Sequence, residues 1–303
     1  MNFVKNPKTS IAIWLRVISV RFLLASVIAV SVGLAMNWRQ NSTVDPLAAV
    51  LTFAGVISLH ASVDLLNDYW DYKRGIDTIT KRTKMSGGTG VLPEGLLKPS
   101  SVYRAGIGFL ILGSIIGFYF VLTDGIIIAA ILGFAILSIY FYSTKIVDSG
   151  LAEFFVAVKG TMIVLGTYFI QSNQITLESI LGGIVVGVLS SLVLFIASFP
   201  DHDADKSKGR KTLVIVVGKQ KATSLFWVFP TISYFVIILG IFINVFPILS
   251  LITLFSIPLV IKAGMGLKKN FDSVNELVPF MSFTLMFSRV TGALFVLSFL
   301  PSF

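Results

Sequence analysis

Nine runs of about 20 mostly apolar residues, parted by short polar segments, leave this chain few ways to fold. A helix rising 1.5 Å per residue crosses the hydrocarbon core of a bilayer in a run of that length. Backbone polar groups inside lipid must be satisfied within their own segment, so each run reads as a transmembrane helix. The spans fall near 17–37, 46–66, 101–122, 125–143, 151–170, 177–199, 223–241, 245–266 and 279–300. Only "TDG" separates the third from the fourth, which makes a tight hairpin. Of the 303 residues 55% are hydrophobic and 13% charged, against about 25% charged in a soluble domain. The expected fold is all-α, a multi-pass membrane protein built as one domain over 1–303. Gly113, Gly117, Gly182, Gly183 and Gly187 lie inside spans, where small residues let helices approach closely. Cysteine is absent, which excludes disulfides, thiolate metal sites and a Cys nucleophile. The opening "MNFVKNPKTS" has no apolar core, so no cleavable signal peptide is expected.

Basic residues set the orientation. Counted with the adjoining ends of the spans, the N-terminal segment and the loops after spans two, four, six and eight carry four, seven, one, six and three Lys or Arg, 21 of the 24 in the chain. The opposite side carries Arg39 alone, and Lys159 and Arg289 fall within spans. The positive-inside rule then places the N-terminus and both large polar loops in the cytoplasm, and nine spans put the C-terminus outside. The net charge of +9 is largely this topology signal, so no nucleic-acid partner is inferred. A basic face also suits anionic headgroups and diphosphates.

Two polar stretches stand out at the ends of spans two and six. In "LLNDYWDYKRGIDT" (65–78), Asn67, Asp71, Gly75 and Thr78 have spacings of four, four and three. In "FPDHDADKSKGRKTL" (199–213), Asp201, Asp205, Gly209 and Thr212 repeat those spacings 134 residues later. Two related halves follow from this, about 15–143 with one motif and 151–266 with the other, plus an extra helix at 279–300. A pseudo-twofold relation would turn both motifs toward one central cavity. Residues four apart share a helix face, so Asn67 with Asp71, and Asp201 with Asp205, each present two oxygens together. Asp64, Asp68 and His60 continue the first stripe deeper, and Gly75 and Gly209 suit helix stops. Carboxylates at helix C-termini oppose the helix dipole, and polar groups held in a membrane at such cost are functional candidates.

Facing carboxylates repel unless a cation lies between them. An all-oxygen set favours a hard ion, Mg²⁺ before Zn²⁺, and Mg²⁺ is commonly shared between carboxylates and substrate phosphates. Lys73, Arg74, Lys81, Arg82 and Lys84 surround the first motif, and Lys206, Lys208, Arg210 and Lys211 the second. Acids for a metal and bases for phosphate, set over an apolar bundle, point to a diphosphate with an apolar tail. The "GGTG" at 87–90 is a further, weaker source of backbone N–H groups for phosphate.

The pair "NDYWDYKRGIDT" and "FPDHDADKSKGRKTL" resembles the UbiA superfamily of intramembrane aromatic prenyltransferases. The form with Asp77 two residues beyond Gly75 looks most like the branch that prenylates 1,4-dihydroxy-2-naphthoate in menaquinone synthesis. "VRFLLASVIAVSVGLA" (20–35), "GGTGVLPEGLL" (87–97) and "FYSTKIVDSGLAEFFVAVKGTMIVLGTYFIQ" (141–171) are similar to further family segments. Departures are Asp64, where the branch often has Asn, Ala152 in place of a Gly, and Ser19-Val20 in place of Arg-Pro. The resemblance implies nine helices around a central cavity under cytoplasmic cap loops. It implies two Mg²⁺ ions, held by Asn67, Asp68 and Asp71 on one side and Asp201 and Asp205 on the other, with the displaced Asp77 as a further ligand. A polyprenyl diphosphate donor and a small aromatic or lipid-like acceptor follow, with no protein partner inferred.

On this reading an isoprenyl diphosphate ionises toward an allylic cation, which the electron-rich acceptor attacks. Arg21, Lys73, Arg74, Lys145 and Lys211 are candidates for diphosphate contact. Tyr140 and Tyr142, just before Lys145, offer aromatic faces to the cation, or form an interfacial belt. Glu153 either touches the acceptor or holds a basic partner, and His60 reads as a satisfied polar group of the bundle. Two rival readings are geranylgeranyl transfer to geranylgeranylglyceryl phosphate, as in archaeal ether lipids, and a transporter. A transporter places its charges near the bilayer midplane on broken helices, whereas these acids sit at one edge.

Overall fold

The structure is a computed structural model and describes residues 7–300. The first six residues, part of the segment read for a signal peptide, and 301–303 lie outside the described residues. Helix α1 (Pro7–Val17) comes first, followed by α2 (Val20–Asn41), α3 (Pro46–Lys73), α4 (Pro99–Asp124), α5 (Ile126–Phe141) and α6 (Ala152–Ser172). Next come α7 (Leu177–Ser207), α8 (Leu213–Val217), α9 (Lys219–Leu225), α10 (Val228–Phe242), a 3₁₀ segment (Ile248–Ser256), α11 (Ile257–Asn270) and α12 (Val274–Ser298). Nine of the described segments are long and apolar enough to cross a membrane.

The helices depart from the apolar runs in several places. Helix α1 is separate from the first span because the chain turns at Ser19, which has a φ of 55°. Its Ile13 and Val17 pack against Val91 and Leu92 of the long 74–98 loop. Helices α3 and α7 run seven and eight residues past the expected ends of their spans, so both acidic motifs lie on final helical turns. Polarity marks where lipid stops, not where the backbone hydrogen-bond ladder does. The seventh span breaks between α9 and α10 at Phe226–Trp227. The eighth begins as 3₁₀ helix and becomes α-helical only from Ile257, next to Pro258, which has no N–H to continue the ladder backward.

Small residues set the closest helix pair. A Cβ on Gly160 of α6 would lie 2.7 Å from the Cα of Gly187 on α7, so this crossing tolerates no side chain on either. Gly183 and Gly113 are similarly occupied, a Cβ on them meeting Thr161 at 2.9 Å and Leu59 at 2.7 Å. The main core joins α2, α7, α10 and α12 through Phe195, Phe226, Phe287 and Phe295. At the end far from the motifs, Arg39 bonds Glu178 at 2.6 Å, and Gln40 links Glu178 to Tyr168, tying α2, α6 and α7 together. Outward residues such as Leu122, Ile126, Phe242 and Phe255 stay exposed, as lipid contact requires.

Candidate active site

The last turns of α3 and α7 converge over a cavity of about 340 Å³. Asp64, Asp68, Asp71, Asp77, Asp201 and Asp205 line it, against Arg21, Lys159, Arg210 and Arg289. Six carboxyl groups therefore share the cavity with four basic side chains.

Both motifs reach this place by the same local route. The acids occupy one face of a continuous helix, and a glycine with positive φ (Gly75 at 70°, Gly209 at 81°) then turns the chain off it. Asn67 donates to Asp71 at 3.0 Å, and its own oxygen accepts from Ser143 at 3.0 Å. Arg210, just past Gly209, bonds Asp205 at 3.0 Å and also Asp71, joining the two motifs directly. All three side chains are buried, none more than 8% exposed. Burial works against the Arg210 charge, but Asp71 and Asp205 outweigh it and hold the guanidinium above the usual arginine range.

The long loop closes over the acids through its glycines. The Gly87 N–H donates to Asp201 at 3.2 Å and the Thr89 N–H to Asp68 at 3.0 Å. The "GGTG" amides, read from sequence as phosphate donors, are thus partly engaged by the motif carboxylates. Gly88 has a φ of 69°, and a Cβ there would sit 2.5 Å from the Asp77 carboxylate. Burial pushes Asp77 up to about 8, with Asp71, Asp68 and Asp201 adding to the rise and Arg210 opposing it.

The donor set suits a hard divalent cation. One oxygen each of Asp68, Asp77 and Asp201 is buried without a hydrogen-bond donor among the described residues. Such unpaired oxygens are costly unless a cation or donor completes them. Among the described residues no three carboxylates converge tightly enough to hold an ion unaided.

Eight residues expected at the site line the cavity: Asn67, Asp68, Asp71, Asp77, Asp201, Asp205, Tyr142 and Arg21. Tyr142 opens a π-helical turn, Tyr142–Ile146, that ends the fourth span. Six others lie away from the lining. Tyr140 is 45% exposed on the outside of α5, beside Phe141. Lys145 and Lys211 are exposed, and Lys73 lies over the Tyr69 ring at 6.0 Å. Arg74 straps the motifs from behind, bonding the Ser143 carbonyl at 2.8 Å, Asp148 at 3.0 Å and the Lys208 carbonyl at 3.1 Å. Glu153 is buried and accepts the Leu213 N–H at 3.3 Å, so it receives the chain returning from the second motif. Sequence reading places Arg210 only among the nine basic residues that flank the two motifs, not among the candidates for substrate contact, and only the fold selects it.

The sequence profile of the UbiA prenyltransferase family matches residues 26–288. The 1,4-dihydroxy-2-naphthoate octaprenyltransferase of Escherichia coli (strain K12) is 28% identical over 297 residues, 94% of each chain. The Bacillus subtilis (strain 168) protein of the same name is 27% identical over 209 residues, 67% of this chain and 65% of that protein. Among solved structures, a UbiA homolog from Aeropyrum pernix K1 superposes with a TM-score of 0.68 at 14% identity, covering 91% of this chain and 97% of that one. A UbiA homolog from Archaeoglobus fulgidus, bound to GPP and Mg²⁺, gives 0.63 at 16% identity, with 93% and 99% covered. At these identities the superpositions speak for the fold.

Proposed function

The chain belongs to the UbiA prenyltransferase family, and from that premise we propose that it transfers an isoprenyl chain from a polyprenyl diphosphate to 1,4-dihydroxy-2-naphthoate within the membrane. The observation that carries this is the Arg210 bridge from Asp71 to Asp205, which gathers both acidic motifs at one end of an apolar-walled cavity. Relatives named for that acceptor support the choice, one of them over 94% of the chain.

Asp68, Asp71 and Asp77 from one side and Asp201 and Asp205 from the other would hold Mg²⁺, two ions in our reading, with Asn67 orienting Asp71. Bound magnesium supplies neutralisation of the diphosphate and stabilises charge on the leaving group. The chain's own residues do the rest. Arg21 adds positive charge at the cavity wall. The Tyr142 ring borders the cavity where an allylic cation would form, and an aromatic face stabilises such a cation. The loop amides of Gly87 and Thr89 keep the carboxylates aimed inward. The apolar lining excludes water that would quench the cation. We place the N-terminus, both motifs and the 74–98 loop in the cytoplasm and the C-terminus outside, on the basic-residue asymmetry.

Membranes carrying the protein are assayed with radiolabelled geranylgeranyl and longer diphosphates, offering dihydroxynaphthoate and geranylgeranylglyceryl phosphate in parallel. Prenylated naphthoate that requires Mg²⁺ is expected. Product from the glyceryl phosphate alone overturns the acceptor. Asp71→Ala and Asp201→Ala are each expected to abolish transfer while the protein stays folded in the membrane. Near-normal turnover in both removes the metal assignment.

A further inference from the structure

Below the acid–arginine cluster the cavity changes character. Asp64 and His60 of α3 face it, and so does Lys159 of α6. Asp64 lies four helical residues from Asp68, about 6 Å along the axis, and seven from Asp71, about 10 Å, so this level starts one turn below the motif carboxylates. His60 is fixed by Ser26, whose Oγ lies 2.6 Å from its Nδ1. Its Nε2 lies 3.8 Å from Asp64 Oδ2. Among the described residues that oxygen is buried without a hydrogen-bond donor, and the hydroxyl of Ser138, on α5 at the same cavity, is also unpartnered.

Lys159 is the telling residue. Its ammonium interacts electrostatically with Asp64, yet among the described residues it makes no hydrogen bond and no ion pair within 4.0 Å. A lysine inside a membrane span is expensive unless it is paired. A purely structural lysine would sit directly on the carboxylate, whereas this one stands off it, at the wall shared by the cavity and a smaller apolar pocket. The lining also has an apolar stretch, formed by Ile28 and Ala29 of α2, Leu189 and Val193 of α7 and Leu285 of α12, with Ser190, Ser288 and Arg289 on the same helices. An isoprenoid chain therefore has apolar surface to lie on, and the polar groups at the level of Lys159 are left for the other substrate.

We propose that Lys159, with Asp64 as its counter-charge, is the subsite that holds the carboxylate of the aromatic acceptor. The inference rests on the reading of the acceptor as a hydroxylated aromatic acid. Such a molecule matches the unsatisfied groups: an anion for the ammonium and a hydroxyl hydrogen for the open oxygen of Asp64. With the diphosphate held at the motif end, this places the acceptor ring between the leaving group and the inner wall.

The test uses the full chain in lipid nanodiscs with geranylgeranyl diphosphate, and compares 1,4-dihydroxy-2-naphthoate with its methyl ester. Wild type is expected to show an acceptor KM for the acid about tenfold or more below that for the ester, the worth of one charge-assisted hydrogen bond. Lys159→Met raises the KM of the acid to that of the ester and leaves the donor KM unchanged, and Lys159→Arg restores the preference. Equal use of acid and ester by wild type overturns the subsite without any variant, so the result does not hang on Lys159→Met folding. Retained preference in Lys159→Met, or a shift in donor KM instead, also overturns it. If wild type uses neither naphthoate but does use geranylgeranylglyceryl phosphate, the acceptor reading itself fails and the subsite with it.

Discussion

Arg210 is 8% exposed and bonded to a carboxylate on each of two helices. Removing one partner of a buried ion pair leaves the others uncompensated, at a cost of about 3–5 kcal/mol. Arg210→Gln should therefore lower the melting temperature in chelator. A cation binding to the freed Asp71 and Asp205 would recover part of that loss by mass action. The expected result is a larger Mg²⁺-induced rise in melting temperature for Arg210→Gln than for wild type, and equal rises would separate Arg210 from the metal carboxylates. Gly88 makes a second residue-scale case. Its positive φ and the 2.5 Å approach to Asp77 leave no room for a methyl group. Gly88→Ala is expected to cut prenyl transfer at least tenfold, with a change in Mg²⁺ requirement because the Gly87 and Thr89 amides are displaced from Asp201 and Asp68; unchanged kinetics would show that the loop does not position the acids. From sequence, Asp68, Asp71, Asp201 and Asp205 could be assembled as a set because helical spacing makes their alignment local. Arg210 could not be singled out, because its meaning depends on a residue 139 positions away.

Helix α1 is a separate element held down by charge as well as by Ile13 and Val17. Arg16 donates twice to Glu94, at 2.7 and 3.0 Å, and to the Thr89 carbonyl at 2.8 Å, while Arg82 bonds Glu94 from the other side. The hydrogen bond from Arg16 leads in drawing Glu94 down to about 2, with Arg82 assisting against a smaller opposing effect of burial. A depressed acid stabilises the folded state above its unfolded pKa and loses that contribution as pH falls through its folded pKa. The tether of α1 is thus complete above about 4.5 and released as pH falls toward about 2. Solvent screens this half-exposed cluster, so the effect is local rather than global. Backbone amides of α1 should exchange hydrogen faster at the low end of that range, and in Glu94→Gln at neutral pH, while α7 amides do not change; uniform behaviour of both helices would dissolve α1 as an independent element. The apolar periods told where each span lies, but not that α3 and α7 carry on as helices beyond them. Nor did they separate α1 from α2, since a single residue of positive φ at Ser19 has no hydropathy signature.

At the scale of the whole molecule, the absence of cysteine makes orientation directly measurable. Lys84→Cys, in the loop over the acids, should react with a membrane-impermeant maleimide only from the cytoplasmic face, and Asp124→Cys, at the far end of α4, only from the outside. The reverse pattern would invert the topology. Composition and apolar spacing by themselves determined nine segments fit to cross a membrane, and the basic-residue asymmetry carries the proposed orientation. These are one-dimensional quantities: a run is long enough for a bilayer or it is not, and a loop is basic or it is not. The repeated motif spacing likewise determined that two acidic helix ends exist. Only the tertiary structure decided which charges meet. It put Arg210 between Asp71 and Asp205 and Arg74 behind them, and it left Tyr140, Lys145 and Lys211 outside. It also set Lys159 at the cavity with no bonded partner among the described residues. Pairing at 3 Å depends on the approach and rotation of helices far apart in the chain. Contacts such as Gly160 against Gly187 set that approach, and no local pattern encodes it.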